Sequence, residues 1–324
     1  MFDVVAIGEL LIDFTPSGTN QRGDLIFARN PGGAPANVLA ANSRIGGKTA
    51  FIGKIGEDSF GIYLRDVLNG IGISTEGLVT SKTVNTTLAF VQFDEKGDRS
   101  FIFYRKPGAD IMLETNDVKE SHIADSRIFH FGSVSLTDEP SRSATMHAVC
   151  LAKKKGCIIS YDPNYRLTLW DNLENAKKQM LMGLTFADIV KVSEEEMILL
   201  TGEKDLVKGS LLLAKEGAAL ILISLGDKGA FYRRGVLYGI MPTYNVKTID
   251  TNGAGDAFLG AIHYQLRRKQ LSEIRNIGKA ELEEIVSFAN AAGSLTTTKS
   301  GAITALPSLE EIKECMHNVP LLIY

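Results

Sequence analysis

Cysteine is scarce in this 324-residue chain: Cys150, Cys157 and Cys315 stand alone, and no Cys-x-x-Cys pair occurs. An odd, scattered set excludes a disulfide framework and suits a reducing compartment. Five histidines, equally scattered, do not complete a zinc site with them. Charge of either sign is also lacking in excess, since 35 Lys+Arg against 38 Asp+Glu leave a formal −3. Such a balance carries no electrostatic footprint for DNA or RNA, so no nucleic-acid partner is expected. Long apolar runs are missing too. The longest, Ala218 to Leu225, is far short of the ~20 residues a bilayer requires. The first nine residues carry early acids and no basic leader, which argues against a secretory signal. The expectation is a cytoplasmic protein with no membrane partner. Repeats, low-complexity tracts and Pro/Ser-rich linkers are absent as well, which points to one compact core.

What the chain does have is rhythm. Short β-branched and apolar runs at Phe2–Ile7, Ala50–Ile55, Ile128–Phe131, Ile158–Tyr161, Ile189–Val192 and Leu220–Ser224 read as buried strands. Between them lie helical patterns at Ala36–Ile45, Phe60–Ile71, Ser141–Lys155, Asn172–Leu184, Glu194–Thr201 and Val207–Glu216. The C-terminal third, with Ala254–Gln270, Ala280–Thr298 and Ser308–His317, is mostly helix. Strand–helix alternation predicts a mostly parallel sheet with helices on both faces. Two segments break the pattern. Ile12–Arg29 follows the first strand, and Asn85–Tyr104 reads as a hairpin turning at Asp94–Asp98 through Gly97. Strands that leave such a core and pair with one another make either an edge decoration or a lid over the carboxyl ends of the core strands.

The densest chemistry lies at Asp250-Thr251-Asn252-Gly253-Ala254-Gly255-Asp256, just before an amphipathic helix. Gly253, Ala254 and Gly255 have almost no side chain, so their backbone N–H groups can converge on one anion. The helix N-terminus places roughly half a positive charge behind them. Asp256, in the first turn, is then placed to take a proton from a hydroxyl attacking a phosphoryl group. The plainer alternative is a Gly-rich turn with a helix-start Asp. A second Gly-rich helix start, Asn30 to Asn37, offers Gly33 for close ligand approach and the Asn37 amide for a polyol. A third, Ser224-Leu225-Gly226-Asp227-Lys228-Gly229, closes an apolar strand and reads as a turn or a nucleotide wall. Asp162-Pro163-Asn164-Tyr165-Arg166 follows a buried strand, and Arg166 supplies a fork for phosphate or carboxylate. Arg105, after the hairpin, reads similarly. Ser193-Glu194-Glu195-Glu196 is a helix-start acidic cluster or a water-mediated Mg²⁺ site. Two phosphate motifs fail: Gly47-Lys48-Thr49 lacks the upstream Gly of a P-loop, and no G-x-G-x-x-G follows the first strand.

Two long signatures stand about 220 positions apart in the expected order: Gly32-Gly33-Ala34-Pro35-Ala36-Asn37, running on to Gly61, and Asp250–Asp256. With them, the whole chain resembles the ribokinase-like (PfkB) carbohydrate kinases. Within that family it looks most like fructokinases, on Phe103–Asp110, Phe129–Leu136 and Tyr161–Arg166 with Leu169-Trp170. The resemblance implies a three-layer α/β/α core over 1–324 with a mostly parallel sheet, and a small β-sheet lid inserted at about 13–31 and 84–110. It implies ATP-dependent phosphorylation of the 6-hydroxyl of D-fructose, with 2-keto-3-deoxygluconate kinases sharing the Arg166 stretch and a non-catalytic sensor as the remaining alternative. On this resemblance Asp256 is the base and Gly253, Ala254 and Gly255 the anion hole. Asp13, Gly33, Asn37, Arg105 and Arg166 hold substrate, while Ser193, Ser224, Gly226, Gly229 and Asn290 line ATP. Glu196 is tied to Mg²⁺ through water, and Asp250, Asn252 and Gly301 fall in loops that hold a monovalent cation such as K⁺. A homodimer through the lid completes the expectation.

Overall fold

In the computed structural model, residues 1–93 and 99–322 are described. Thirteen strands are assigned among them, in two sheets. They are β1 (Phe2–Ile7), β2 (Leu11–Thr19), β3 (Leu25–Gly32), β4 (Thr49–Gly56), β5 (Ile73–Ser81), β6 (Leu88–Phe93) and β7 (Arg99–Tyr104). β8 (Ser126–Gly132), β9 (Ile158–Asp162), β10 (Ile189–Ser193), β11 (Leu220–Ser224), β12 (Ala230–Arg234) and β13 (Leu237–Met241) complete the set. The larger sheet runs β13-β12-β11-β10-β9-β8-β1-β4-β5. Every pairing from β11 to β5 is parallel, and only β12 and β13 close one edge antiparallel.

Period-two alternation sorts the side chains of each strand into two cores. Val4, Ala6, Leu220 and Leu222 face one cluster, and Val5, Ile7, Ile221 and Ile223 the other. The first cluster packs the helices Ala34–Arg44, Ala254–Leu266, Lys279–Thr296 and Leu309–Asn318. The second packs Ser141–Lys154, Leu173–Leu184, Glu194–Thr201 and Leu206–Ala214. Strands covered on both faces are apolar nearly throughout, as Leu-Ile-Leu-Ile in β11 illustrates. Here is the expected three-layer α/β/α core.

β2, β3, β6 and β7 form a separate four-stranded sheet in the order β3-β2-β6-β7. Its β2–β6 pairing is parallel and the other two are antiparallel. The sheet occupies the two segments that broke the rhythm. The expected turn at 94–98, with its Gly97, lies outside the described residues.

Because the core strands are parallel, their carboxyl ends share one edge. The loops after β1, β9, β10 and β11 therefore deliver Glu9, Asn164 with Arg166, Glu196 and Gly226 to the same rim. Strands β5, β12 and β13 were not anticipated. β5 and β13 are the edge strands, where burial is partial and, in β5, the polar residues of Ile73-Ser-Thr-Glu-Gly blur the pattern, while β12 is a short buried strand carrying two arginines. Among the described residues no helix is long and apolar enough to cross a membrane.

Candidate active site

The helix Ala254–Leu266 starts from Gly253, whose φ of 75° is left-handed. A Cβ there would come within 2.7 Å of the Ala302 Cβ, so both backbone angle and neighbour demand glycine. No side chain of the cap residue closes this helix end. Ala254 N–H reaches Thr251 O at a long 3.4 Å. The N–H groups of the first turn have no partner within the helix, so this helix start presents backbone donors.

Asp256 sits one step inside that turn and is buried. Asn37 Nδ2 donates to its Oδ2 at 2.8 Å, and Asn164 Nδ2 to its Oδ1 at 3.3 Å. Two amides from segments distant in the chain thus aim one carboxylate. Burial pushes the Asp256 pKa above the usual carboxylate range, against the opposing pull of the Asn37 hydrogen bond, Lys191 and Arg166. A carboxylate so raised is a stronger base. Asn164 itself is a non-glycine residue at φ 47°, a strain tolerated where its amide must point at Asp256.

Two hollows meet at this carboxylate, and a third reaches its neighbours Ala254 and Gly255. A cavity of about 540 Å³ is lined by Arg166, Lys191, Thr251, Gly253, Gly255 and Asp256. A smaller one shares Asp256, Arg166 and Phe101 of the small sheet and adds Glu9, Asp13, Gly33 and Asn37. On the other side, about 390 Å³ is bounded by Ser224, Gly226, Gly229, Asn290, Ala254 and Gly255. Gly229 (φ 91°) is required because a Cβ would lie 2.1 Å from Met241 O. Asn290 lines this cleft while its Nδ2 holds Met241 O and Pro242 O at 2.9 and 3.1 Å. Asp13, Gly33, Asn37 and Arg166 thus line one hollow, and Ser224, Gly226, Gly229 and Asn290 another.

Two expectations need correction. Arg105 is not at the substrate wall. It is buried, with Nε on Asp110 Oδ2 at 2.7 Å, one Nη on Thr137 Oγ1 at 2.8 Å and the other on Val134 O at 3.1 Å. Asp110, also hydrogen-bonded to Thr87, neutralises it from behind. A guanidinium with its fork already filled braces the wall without facing it. Ser193 departs in a milder way: its Oγ accepts from Glu196 N at 3.1 Å as a helix cap, and it lines a hollow with Glu196 instead of the nucleotide-side cleft.

Glu196 is buried in the hollow it shares with Ser193, Arg166 and Lys191, accepting from Tyr165 N at 2.6 Å and Ser193 N at 2.7 Å. Among the described residues no cluster of three metal-ligating side chains occurs. One carboxylate with lone pairs to spare matches Mg²⁺, which keeps most of its waters and leans on phosphate oxygens. Asp250 accepts from Asn252 N at 2.8 Å and Gly301 N at 3.0 Å, which ties the three expected cation-loop residues into one unit.

Sequence reasoning missed Lys191. Its Nζ lies 2.9 Å from Asp162 Oδ2, and equally close to where a Cβ on Gly255 would stand. Burial works to lower its pKa, yet Asp162 and Glu196 hold it above the ordinary value, so the ammonium stays charged beside the anion hole. A lysine inside Ile-Val-Lys-Val was the available signal, since a charge in a buried strand needs a reason.

A carboxylate aimed across an uncapped helix start, between a hollow lined by acids and amides and a second cleft, is an arrangement suited to phosphoryl transfer. A sequence profile of the pfkB family carbohydrate kinases matches residues 1–309. The chain belongs to that family. It is 42% identical to probable fructokinase-4 of Arabidopsis thaliana over 97% of this chain and 96% of the relative. The fructokinase of Xylella fastidiosa with bound ATP superposes at a TM-score of 0.91, with 33% identity over 98% and 99% of the two chains. A Vibrio cholerae fructokinase variant bound to fructose, ADP and potassium superposes at 0.86, with 33% identity over 97% and 98%.

Proposed function

We propose that this pfkB-family kinase transfers the γ-phosphoryl group of ATP to the 6-hydroxyl of D-fructose. The observation that carries the reading is Asp256, held by Asn37 and Asn164 where the sugar-side hollow opens onto uncapped helix N–H groups. The fructokinase relatives, alike over nearly the full chain, supply the choice of sugar.

The chemistry follows from charge. ATP lies along the cleft of Ser224, Gly226, Gly229 and Asn290, its terminal phosphate at Gly253–Gly255. Fructose occupies the hollow of Asp13, Gly33 and Asn37, with the 6-hydroxyl toward Asp256. Asp256 takes the hydroxyl proton, while first-turn N–H groups and Lys191 meet charge on the transferring oxygens. Mg²⁺ bound to the phosphates supplies further neutralisation, and Glu196 would hold its water shell. K⁺ would sit in the loops tied by Asp250. The small sheet covers the sugar and excludes water that would otherwise consume ATP. Ile102 and Tyr104 are exposed on this sheet, with Tyr104 against the Phe27–Phe90 pair, which supports pairing of two copies through the lid. Three free cysteines fit the cytoplasm.

A panel of neutral sugars and sugar acids with ATP and Mg²⁺, with and without K⁺, tests this by ADP release. Fructose is expected to give the highest kcat/KM. A higher value on 2-keto-3-deoxygluconate overturns the choice of sugar, and ATP binding without turnover of any sugar overturns the catalytic reading.

A further inference from the structure

Glu9 follows β1 at the carboxyl edge of the sheet and is only 4% exposed. Its Oε1 accepts from Ala34 N at 2.9 Å. Its Oε2 is buried with no hydrogen-bond partner among the described residues. The residue lines the sugar-side hollow with Asp13, Asn37 and Asp256. A buried polar atom left unpaired calls for an explanation. In a substrate wall, the explanation is a donor that arrives with the ligand.

We propose that Glu9 is a positioning and specificity residue of the sugar site. It fixes the helix start that carries Gly33 and Asn37, and it makes the hollow select a neutral polyol over a sugar acid. This rests on the kinase reading above and extends it. The first half is geometric: Ala34 and Asn37 are one helical turn apart, so a carboxylate gripping Ala34 N–H sets where the Asn37 amide meets Asp256. The second half is electrostatic. Glu9, Asp13 and Asp256 line the hollow, and Arg166 is the cation in its wall. Hydroxyl donors suit such a wall, whereas a substrate carboxylate would enter among three acids.

The groups facing Glu9 agree with this role. Burial opposes its charge most, Asp110 from the segment after β7 adds to that, and the backbone N–H groups of Glu9 and Ala34 together with Arg105 pull the other way without overcoming it. Its pKa is raised to about 7, so its charge changes near neutrality.

Glu9→Gln keeps an oxygen for Ala34 N–H but replaces the free acceptor with a donor and removes the charge. The expected result is a KM for the neutral sugar raised about tenfold, with kcat and the KM for ATP changed less than about twofold. The preference for that sugar over 2-keto-3-deoxygluconate should fall by a similar factor. In the wild type, sugar KM should rise as pH falls through about 7, and the variant should lose that inflection. A sugar KM within about twofold of wild type overturns the proposal, as does a loss confined to kcat. Glu9→Asp guards against a Gln variant that fails to fold: it keeps charge and inflection while withdrawing the oxygens by one methylene, and an unchanged KM again overturns the proposal. The wild-type panel alone decides fructose. Glu9 is judged on whichever neutral sugar the wild type prefers, so either reading can fail without the other.

Discussion

Two helices of this molecule begin the same way in sequence and are finished in opposite ways in space. Ala34–Arg44 follows Gly33 (φ 118°), and Ala254–Leu266 follows Gly253 (φ 75°). Neither cap residue has a side chain to satisfy the first N–H groups. At the first helix a buried carboxylate from β1 fills the role, Glu9 on Ala34 N–H. At the second no side chain of the cap residue does, only the Thr251 carbonyl reaches Ala254 N–H at 3.4 Å, and the helix start lines the cavity. The electrostatics follow the same division. An anion built into the chain closes one positive end, and the other is kept for an anion that comes and goes. The closed end becomes a fixed platform presenting Asn37. The open end becomes the reactive centre, with Asp256 joining the two through the Asn37 amide.

The sharpest way to break this pairing is at the shared carboxylate. Asp256→Asn keeps shape and most hydrogen bonding but cannot accept a proton, and kcat should fall at least ~10²-fold with little change in sugar KM. Near-wild-type turnover would end the assignment of base. Next in size come the glycines. Gly253→Ala forces a left-handed alanine against Ala302 and turns the open N–H groups. We expect kcat to drop about tenfold or more, the scale of one misaligned oxyanion donor. Gly33→Ala would bring a Cβ within 2.4 Å of Glu9 O and should act on sugar KM instead. Steady-state kinetics on the two variants checks the contrast. If both change the same parameter, the division of labour between the helices is lost.

Most of this site could be read before any coordinates, because local sequence dictates it. Glycine is demanded where φ is positive, and a small-residue run before an amphipathic stretch marks a helix start. The buried strands were legible for a similar reason, since burial on both faces leaves apolar runs that need no partner to be recognised. What escaped depends on contacts between distant segments. Arg105 has the composition of a phosphate ligand, and only the approach of Asp110, Thr137 and Val134 shows that its donors are already used. Glu9 just after β1 and Lys191 inside β10 take their partners, Ala34 and Asp162, from distant segments. The outer strands β5 and β13 were lost because one-sided burial weakens the apolar signal.

A smaller effect separates the open helix end from its lysine. Lys191→Met removes the ammonium beside Gly255 and leaves Asp162, whose pKa burial already raises, to take up a proton. kcat should fall about tenfold, the lower range for loss of one charge-stabilising donor. The drop should persist at saturating sugar and ATP. If higher ATP restores full turnover, Lys191 acts in ground-state binding and does not serve the transition state.

The last contrast concerns how the open helix is held from behind. His263 lies two turns along from Asp256, fully buried, with Nε2 2.7 Å from Ser160 Oγ on β9. Ser160 in turn lies 3.2 Å from His130 Nδ1 on β8. Burial lowers both histidines, His130 to about 3, so the helix is anchored by neutral rings. A histidine depressed in the fold binds fewer protons there than in the unfolded chain. Its stabilisation is complete above the unfolded pKa of about 6.5 and declines as pH falls toward the folded value. Each such histidine contributes up to ~1.4 kcal/mol per pH unit in that window. Buried carboxylates with raised pKa, Asp256 and Glu196 among them, oppose this trend, but they are common to wild type and variant. The difference between the proteins therefore isolates the histidine. His263→Leu should flatten the fall of unfolding free energy between pH 6.5 and 4.5 by about 1 kcal/mol per unit, measured by urea denaturation across that range. Parallel curves would mean that His263 is no buried neutral anchor, and that the open helix owes its placement to apolar packing alone.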